Sequence, residues 1–277
     1  MGENSKIEWT THTFNPWWGC TKVSEACKNC YAEAWAKRLG QRVWGPKSRR
    51  RFFTDQHWKQ PVSWNRRAEG EKQRPRVFCA SMADVFEDQI ELDEHRRKLW
   101  ELIDATPNLD WLLLTKRPMN IKRLAGWSSD WPTNVWLGTT IELQARAEEL
   151  LPHLADNPAK VRFISAEPLL GPLSLQRWLG STVNWVITGG ESGPKARPAS
   201  PAWFSDLHFQ CMRAEVPFHF KQWGDWAPGD GVNLPAKRAI KEQIAEDGTR
   251  MVRIGKRAAG RELDGAEWDG LPLVVNN

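Results

Sequence analysis

Short runs of apolar and β-branched residues alternate along the chain with longer stretches in which apolar positions recur every three or four residues. The short runs predict strands at Thr13–Trp17, Arg76–Ser81, Trp111–Thr115, Val135–Thr139, Val161–Ser165, Trp185–Thr188 and Pro217–Lys221. The longer stretches predict helices at Tyr31–Leu39, Asp93–Ala105, Leu143–Leu154 and Pro201–Glu215, with Asp93 as an N-cap. Shorter helices are expected after Asn120 and after Pro172. Such alternation means an α/β fold built on a parallel sheet with crossover helices. Residues 1–224 are expected to form a partial TIM-type (β/α)6–7 barrel, interrupted by an insertion at about residues 40–76. Beyond Gly224 the alternation stops. Residues 225–277 are expected as a C-terminal appendage, with a Gly/Pro-rich loop at Asp225–Leu234, a polar stretch at Ala236–Glu246 and a strand at Thr249–Ile254.

Polar residues fall just past each predicted strand: Cys20, Asp84, Lys116, Glu142, Glu167, Glu191 and Gln222. The loops that follow the strands of an α/β barrel share one face, which carries the active site. These positions therefore read as a working site.

Composition changes the picture in three places. No apolar run reaches the length of a membrane span, and Met1–Lys6 lacks the apolar core of a signal peptide. Five cysteines without a disulfide-rich spacing fit a reducing compartment, so a cytoplasmic protein with no membrane association is expected. Charge is uneven: twelve Lys/Arg between Arg38 and Arg76 face only Asp55, Glu69 and Glu71, although the whole chain carries a net charge of +5. Such an excess suits phosphates, and Arg49, Arg50 and Arg51 are the candidate contacts to DNA or RNA; a solvated, mobile basic loop is the other reading. Phe52, Phe53, Trp58 and Trp64 interleave with these cations. The 18 Trp against one Tyr supply stacking surfaces, although a Trp-rich core accounts for most of them.

Cys20, Cys27 and Cys30 lie within eleven residues. Thiolates bind iron or zinc, and a C-x2-C pair reaches one centre across a tight turn. Three arrangements follow. The cysteines form a structural zinc site, which would need a fourth ligand, for which His12 is available; they do not ligate at all; or they hold a [4Fe–4S] cluster whose fourth iron stays open to a chelating ligand. Cys79 and Cys211 fall in a predicted strand and helix and read as core residues.

The segment Asn15-Pro16, Gly19-Cys20 and Cys27-Lys28-Asn29-Cys30-Tyr31-Ala32 resembles the cluster loop of radical S-adenosylmethionine enzymes, especially the spore photoproduct lyase-like branch. It departs from that branch in the first arm, where six residues rather than three separate Cys20 from Cys27. The chain also resembles uncharacterised three-cysteine proteins of phages and prophages through Arg162–Pro172, Gly189–Pro194 and Phe220–Gly224. The first resemblance implies a [4Fe–4S] cluster on Cys20, Cys27 and Cys30, bound S-adenosylmethionine, and a reducing electron donor of the flavodoxin or ferredoxin type. It places Tyr31 at the adenine, and Asp84, Lys116, Thr139, Thr140 and Glu142 around the remainder of the cofactor. Ser81 takes the position of the lyases' hydrogen-donor cysteine, with Cys79 two residues away. Glu167, Glu191, Lys221 and Gln222 then lie where the substrate should sit, a nucleic acid or nucleotide that is modified or repaired. A peptide or small metabolite is the alternative substrate. A zinc-stabilised nucleic-acid-binding module is the non-enzymatic alternative.

Overall fold

The computed structural model describes residues 2–128, 130–230 and 241–273. In chain order its elements are β1 (His12–Thr13), β2 (Trp17–Trp18), α1 (Tyr31–Arg38), β3 (Arg51–Phe52), α2 (Asp55–Arg67), β4 (Arg76–Cys79) and α3 (Asp93–Asp104). Next come β5 (Asp110–Thr115), α4 (Ile121–Leu124), β6 (Val135–Thr140), α5 (Gln144–Ala155), β7 (Val161–Ala166), β8 (Trp185–Gly189) and α6 (Pro201–Arg213). The chain continues through β9 (Phe218–Gln222), β10 (Trp226–Pro228), β11 (Glu242–Ile244), β12 (Arg250–Arg253) and α7 (Lys256–Ala259).

Seven strands form one sheet in the order β1-β4-β5-β6-β7-β8-β9. The order follows the chain without reversal, as in a partial TIM-type barrel and unlike a doubly wound sheet, whose order turns back at a switch point. The fold is α/β of that partial-barrel type. No helix among the described residues is long and apolar enough to cross a membrane.

The chain divides into two compact units. One comprises Met1–Thr139, Leu150–Phe163 and Leu273–Asn277; the other comprises Thr140–Glu149 and Ile164–Pro272. In the first, β1, β4, β5 and β6 pair in parallel. Their continuous apolar runs, with Val77, Trp111, Leu112, Leu113 and Leu137 buried, are what a sheet covered on both faces requires. Alongside it, β2 and β3 make a small antiparallel ribbon, Trp17 opposite Phe52 and Trp18 opposite Arg51. The strand expected over Thr13–Trp17 is thus split: β1 belongs to the large sheet and β2 to this ribbon.

The basic segment contains more order than a mobile loop would. Its helix α2 was not predicted, because its charge hides the apolar positions Trp58, Pro61 and Trp64, all buried. Trp64 stacks on His12 with ring centroids 4.4 Å apart, and His57 and Trp58 pack on Phe14. α4 occupies the short helix expected after Asn120, whereas the residues after Pro172 form turns instead of a helix. A short apolar spacing at Leu173 and Leu175 is equally served by an irregular segment that buries both.

In the second unit β8 and β9 pair in parallel, and residues near Asp269 and Gly270 cap the open edge of β9. That caps the otherwise unpaired edge, a liability for association. The strands β10, β12 and β11 form a separate antiparallel sheet. Part of the Asp225–Leu234 loop is therefore the strand β10, and β12 lies within the strand expected at Thr249–Ile254. Residues 231–240, which include the start of the predicted polar stretch, lie outside the described residues.

Candidate metal and cofactor site

Gly19 sets the cysteine loop in place. Its N–H donates to the Met82 carbonyl at 3.0 Å, and its φ of +117° lies where a side chain is strained. A Cβ there would stand 2.3 Å from the Val43 carbonyl oxygen, so the residue before Cys20 must be glycine. Cys20 is half-buried, Cys27 is buried in a 3-10 turn at Glu25–Cys27, and Cys30 is the N-cap of α1. None of the three is in a disulfide. The arm between the first two is closed by Lys22, whose Nζ donates to the Lys28 carbonyl at 3.2 Å.

Buried charges hold this arm from beneath. Arg117 directs Nη1 at Cys20 Sγ (3.6 Å) and at Asp84 Oδ2 (2.8 Å), and Nη2 at the Thr21 carbonyl (2.6 Å). Arg50 makes a bidentate pair with Glu87, at 3.1 and 2.8 Å, and donates to Thr21 Oγ1 at 3.1 Å. Burial pushes the Cys20 thiol up to about 12, against the opposing pull of Arg117. Burial also works against the Arg117 charge, but Asp84, Cys20 and Glu87 outweigh it and hold its pKa above the usual arginine value. An arginine so placed is a fixed cation.

The other expected cofactor residues divide by accessibility. Asp84 is buried and receives four donors from its own chain: Thr115 Oγ1 and the Phe86 N–H on Oδ1, and the Lys116 N–H and Arg117 on Oδ2. It orients the end of β5. Tyr31 is exposed, and its hydroxyl donates to the Ser81 carbonyl at 2.8 Å, tying α1 to the segment after β4. Ser81 accepts from Asn15 Nδ2 at 3.0 Å, and Thr139 donates to the Thr115 carbonyl at 3.0 Å. Cys79 is wholly buried, and burial holds its thiol well above the ordinary range, so it is a core residue of β4.

Arg50 corrects the expectation for the basic run. Its side chain is fully enclosed, and beyond Glu87 it donates to the carbonyls of Val43, Gly45 and Ser48. A guanidinium with all its donors engaged inside the protein cannot meet a phosphate. Arg49 and Arg51 remain exposed, and Arg51 lies over the rings of Trp18 (4.7 Å) and Phe53 (5.4 Å).

The second unit carries its own polar group past the ends of β7, β8 and β9. Lys221 Nζ reaches both oxygens of Glu167, at 2.7 and 2.9 Å. Gln222 Nε2 donates to Glu167 at 3.1 Å and lies 3.1 Å from Ser192 Oγ, which turns Gln222 Oε1 away as a buried acceptor. Glu191 binds Arg197 through Nε and Nη2 and also accepts its N–H, closing the loop 191–197. Thr140 and Glu142 are buried at the end of β6.

Residues 4–272 match one family model, DUF5131, described as protein of unknown function. The chain belongs to the DUF5131 family. No curated protein matches it. Among solved structures, this DUF5131 chain is similar to spore photoproduct lyase complexed with dinucleoside spore photoproduct, with a TM-score of 0.47 and 13% identity over 92% of this chain and 71% of that one. A double mutant of the lyase with bound AdoMet and the dinucleoside matches at a TM-score of 0.46 and 13% identity, over the same shares of the two chains.

Arg117 and Glu87 are residues of this DUF5131 chain's site that no local sequence pattern distinguishes. Arg117 stands beside Lys116 and Glu87 beside Asp88, so neither reads as a buried charge until its partner is known. Asn15 had a faint signal, as the Asn of the Asn-Pro pair ahead of the cysteines; its Oδ1 accepts the Met82 N–H at 2.7 Å.

Proposed function

We propose that this DUF5131 protein is a radical S-adenosylmethionine enzyme whose Cys20, Cys27 and Cys30 hold a [4Fe–4S] cluster. The supporting observation is the loop itself: three free thiols in eleven residues, past the end of β1, with a fixed arginine against one of them. Among the described residues no group of three or more His, Cys, Asp or Glu is arranged to hold a metal ion. By donor chemistry the loop fits iron–sulfur better than zinc. His12, the fourth ligand a zinc site would take, is buried and stacked on Trp64, and its Nδ1 accepts the Asn4 N–H at 3.3 Å.

When bound, the cluster and S-adenosylmethionine supply a 5′-deoxyadenosyl radical that takes hydrogen from an unactivated carbon. The chain's own residues position and shield. Arg117 offsets negative charge at the cysteine loop, in a buried setting where such an interaction is strong. Asp84 fixes both Arg117 and the backbone of Lys116, leaving the Lys116 ammonium to meet the cofactor carboxylate. Thr140 and Glu142 are the proposed contacts to its ribose or amino group.

A nucleic acid or nucleotide is the proposed substrate, because Arg51 over Trp18 and Phe53 offers a cation and aromatic faces together, with Arg49 beside it. Glu167, Lys221 and Gln222 are proposed to recognise it, with Gln222 Oε1 accepting a donor such as an amino or imide N–H. Anaerobic incubation of reconstituted protein with dithionite and S-adenosylmethionine tests the reading. 5′-Deoxyadenosine is expected, and Lys116→Met should weaken cofactor binding by roughly 1.5–3 kcal/mol without changing iron content. No 5′-deoxyadenosine from iron-loaded protein would overturn it.

A further inference from the structure

Arg117 is aimed at a sulfur. It lies just past β5, is 8% exposed, and holds its Nη1 3.6 Å from Cys20 Sγ. Three further bonds fix it there. Asp84 Oδ2 accepts from Nη1 at 2.8 Å, the Thr21 carbonyl accepts from Nη2 at 2.6 Å, and the Arg117 N–H donates to Thr115 Oγ1 at 2.9 Å. Thr115 in turn donates to Asp84 at 2.7 Å, so the arginine and its carboxylate share one frame at the end of β5.

Formal charge alone would give this frame no net effect, because Arg50 and Arg117 balance Glu87 and Asp84. Orientation breaks the balance. The two Asp84 oxygens are taken up by Thr115, Phe86, Lys116 and Arg117, and both Glu87 oxygens accept from Arg50. The Cys20 sulfur therefore meets the cationic side of the group, in a setting with little water to screen it. Cys27 differs, since its Sγ lies 3.8 Å from the neutral Ser24 hydroxyl. The potential of an iron–sulfur centre follows local charge, hydrogen bonds to its sulfurs and solvent exposure.

We propose that Arg117 raises the reduction potential of the centre on Cys20, Cys27 and Cys30 by holding a cation against the Cys20 sulfur. The inference rests on the cluster reading above. Arg117 acts through Cys20. When one electron enters, the centre gains one negative charge, no bond to Arg117 forms or breaks, and no proton moves. Asp84 sets the size of the effect, because it anchors the guanidinium and offsets part of its charge.

The test is an anaerobic titration of the reconstituted full chain at an electrode, without S-adenosylmethionine, after iron and sulfide have been measured. At the wild-type midpoint, Arg117→Gln should lower the ratio of reduced to oxidised centre at least tenfold, a fall of about 59 mV for one electron. Asp84→Asn removes an anion and leaves the cation, so its midpoint should rise. Ser24→Ala should stay close to wild type. Damage to the loop alone would move Arg117→Gln and Asp84→Asn in the same direction. An Arg117→Gln midpoint at or above that of wild type would overturn the proposal, as would an equal fall in Ser24→Ala. If Arg117→Gln holds no iron, Asp84→Asn decides, and an unchanged or lowered midpoint overturns it. Loss of iron in both variants would also overturn it, by making the pair a brace for the loop. Wild type without iron and sulfide would instead remove the cluster reading beneath it.

Discussion

The guanidinium of Arg50 is enclosed with Glu87, and the same arginine holds the carbonyls of Val43, Gly45 and Ser48 and the hydroxyl of Thr21. Removing it leaves Glu87 buried beside Arg117 alone, 3.8 Å away, and frees the loop that supports Cys20. Arg50→Met should therefore destabilise the fold by about 3–5 kcal/mol, read by denaturant titration. Arg49→Ser with Arg51→Ser should leave stability within about 0.5 kcal/mol and instead weaken nucleic-acid binding and flatten its salt dependence. The reverse assignment, with Arg50 silent for stability, would contradict the network. Three consecutive arginines look alike in the sequence. What separates them is Glu87, 37 residues on, and no local pattern reports a partner at that distance. The grouping of Cys20, Cys27 and Cys30 in one loop was legible for the opposite reason, since eleven consecutive positions hold all three.

At the scale of elements, two glycine-bearing motifs explain each other. The backbones of Gly190 and Gly224 pass so close that a Cβ on Gly190 would lie 1.9 Å from the Trp223 carbonyl oxygen, and one on Gly224 would lie 2.2 Å from that of Glu191. Gly190 N–H donates to Gln222 and Asp225 N–H to Glu191, stitching the ends of β8 and β9 together. The small sheet of β10–β12 braces the same place, with Trp226 Nε1 bonded to the Ala196 carbonyl and Arg253 to that of Gly193. Gly224→Ala should destabilise by roughly 3 kcal/mol, combining overpacking with left-handed strain. Gly248→Ala, at a φ of +84° but with nothing within 4 Å, should lose only about 1 kcal/mol. Equal effects at the two positions, measured by thermal unfolding, would mean that the close approach is not there. Strands and long helices were legible because alternation and helical periodicity are local. Helix α2 was not, because its apolar side is three residues in a charged run, and the split of the first strand depends on β3 supplying a second partner.

For the whole molecule, pH exposes how its histidines are stored. Burial lowers the pKa of His12, His57, His95 and His208 from 6.5. Below pH 6.5 the unfolded chain then binds more protons than the folded one, so stability falls as pH drops through that value. Burial lifts the Asp110 carboxyl to about 6, and this acts in the other direction, favouring proton uptake by the folded state, but only from about that pH downward. The melting temperature should therefore decrease from pH 7.5 to pH 6.2. A flat or rising profile in that interval would contradict the burial of these rings. The monotonic strand order was legible in the alternation of elements, since crossover connections of one hand leave few topologies. The division of the chain at Thr139 and Phe163 was not, because it falls within strands and carries no change of composition.

The most direct test of the central claim is the metal content of the anaerobically reconstituted chain and of its five single Cys→Ala variants. Wild type, Cys79→Ala and Cys211→Ala should each hold about four irons with matching acid-labile sulfide. Cys20→Ala, Cys27→Ala and Cys30→Ala should lose the cluster while the chain stays folded. One zinc per chain without sulfide, or full iron and sulfide in any of the three loop variants, would contradict the account.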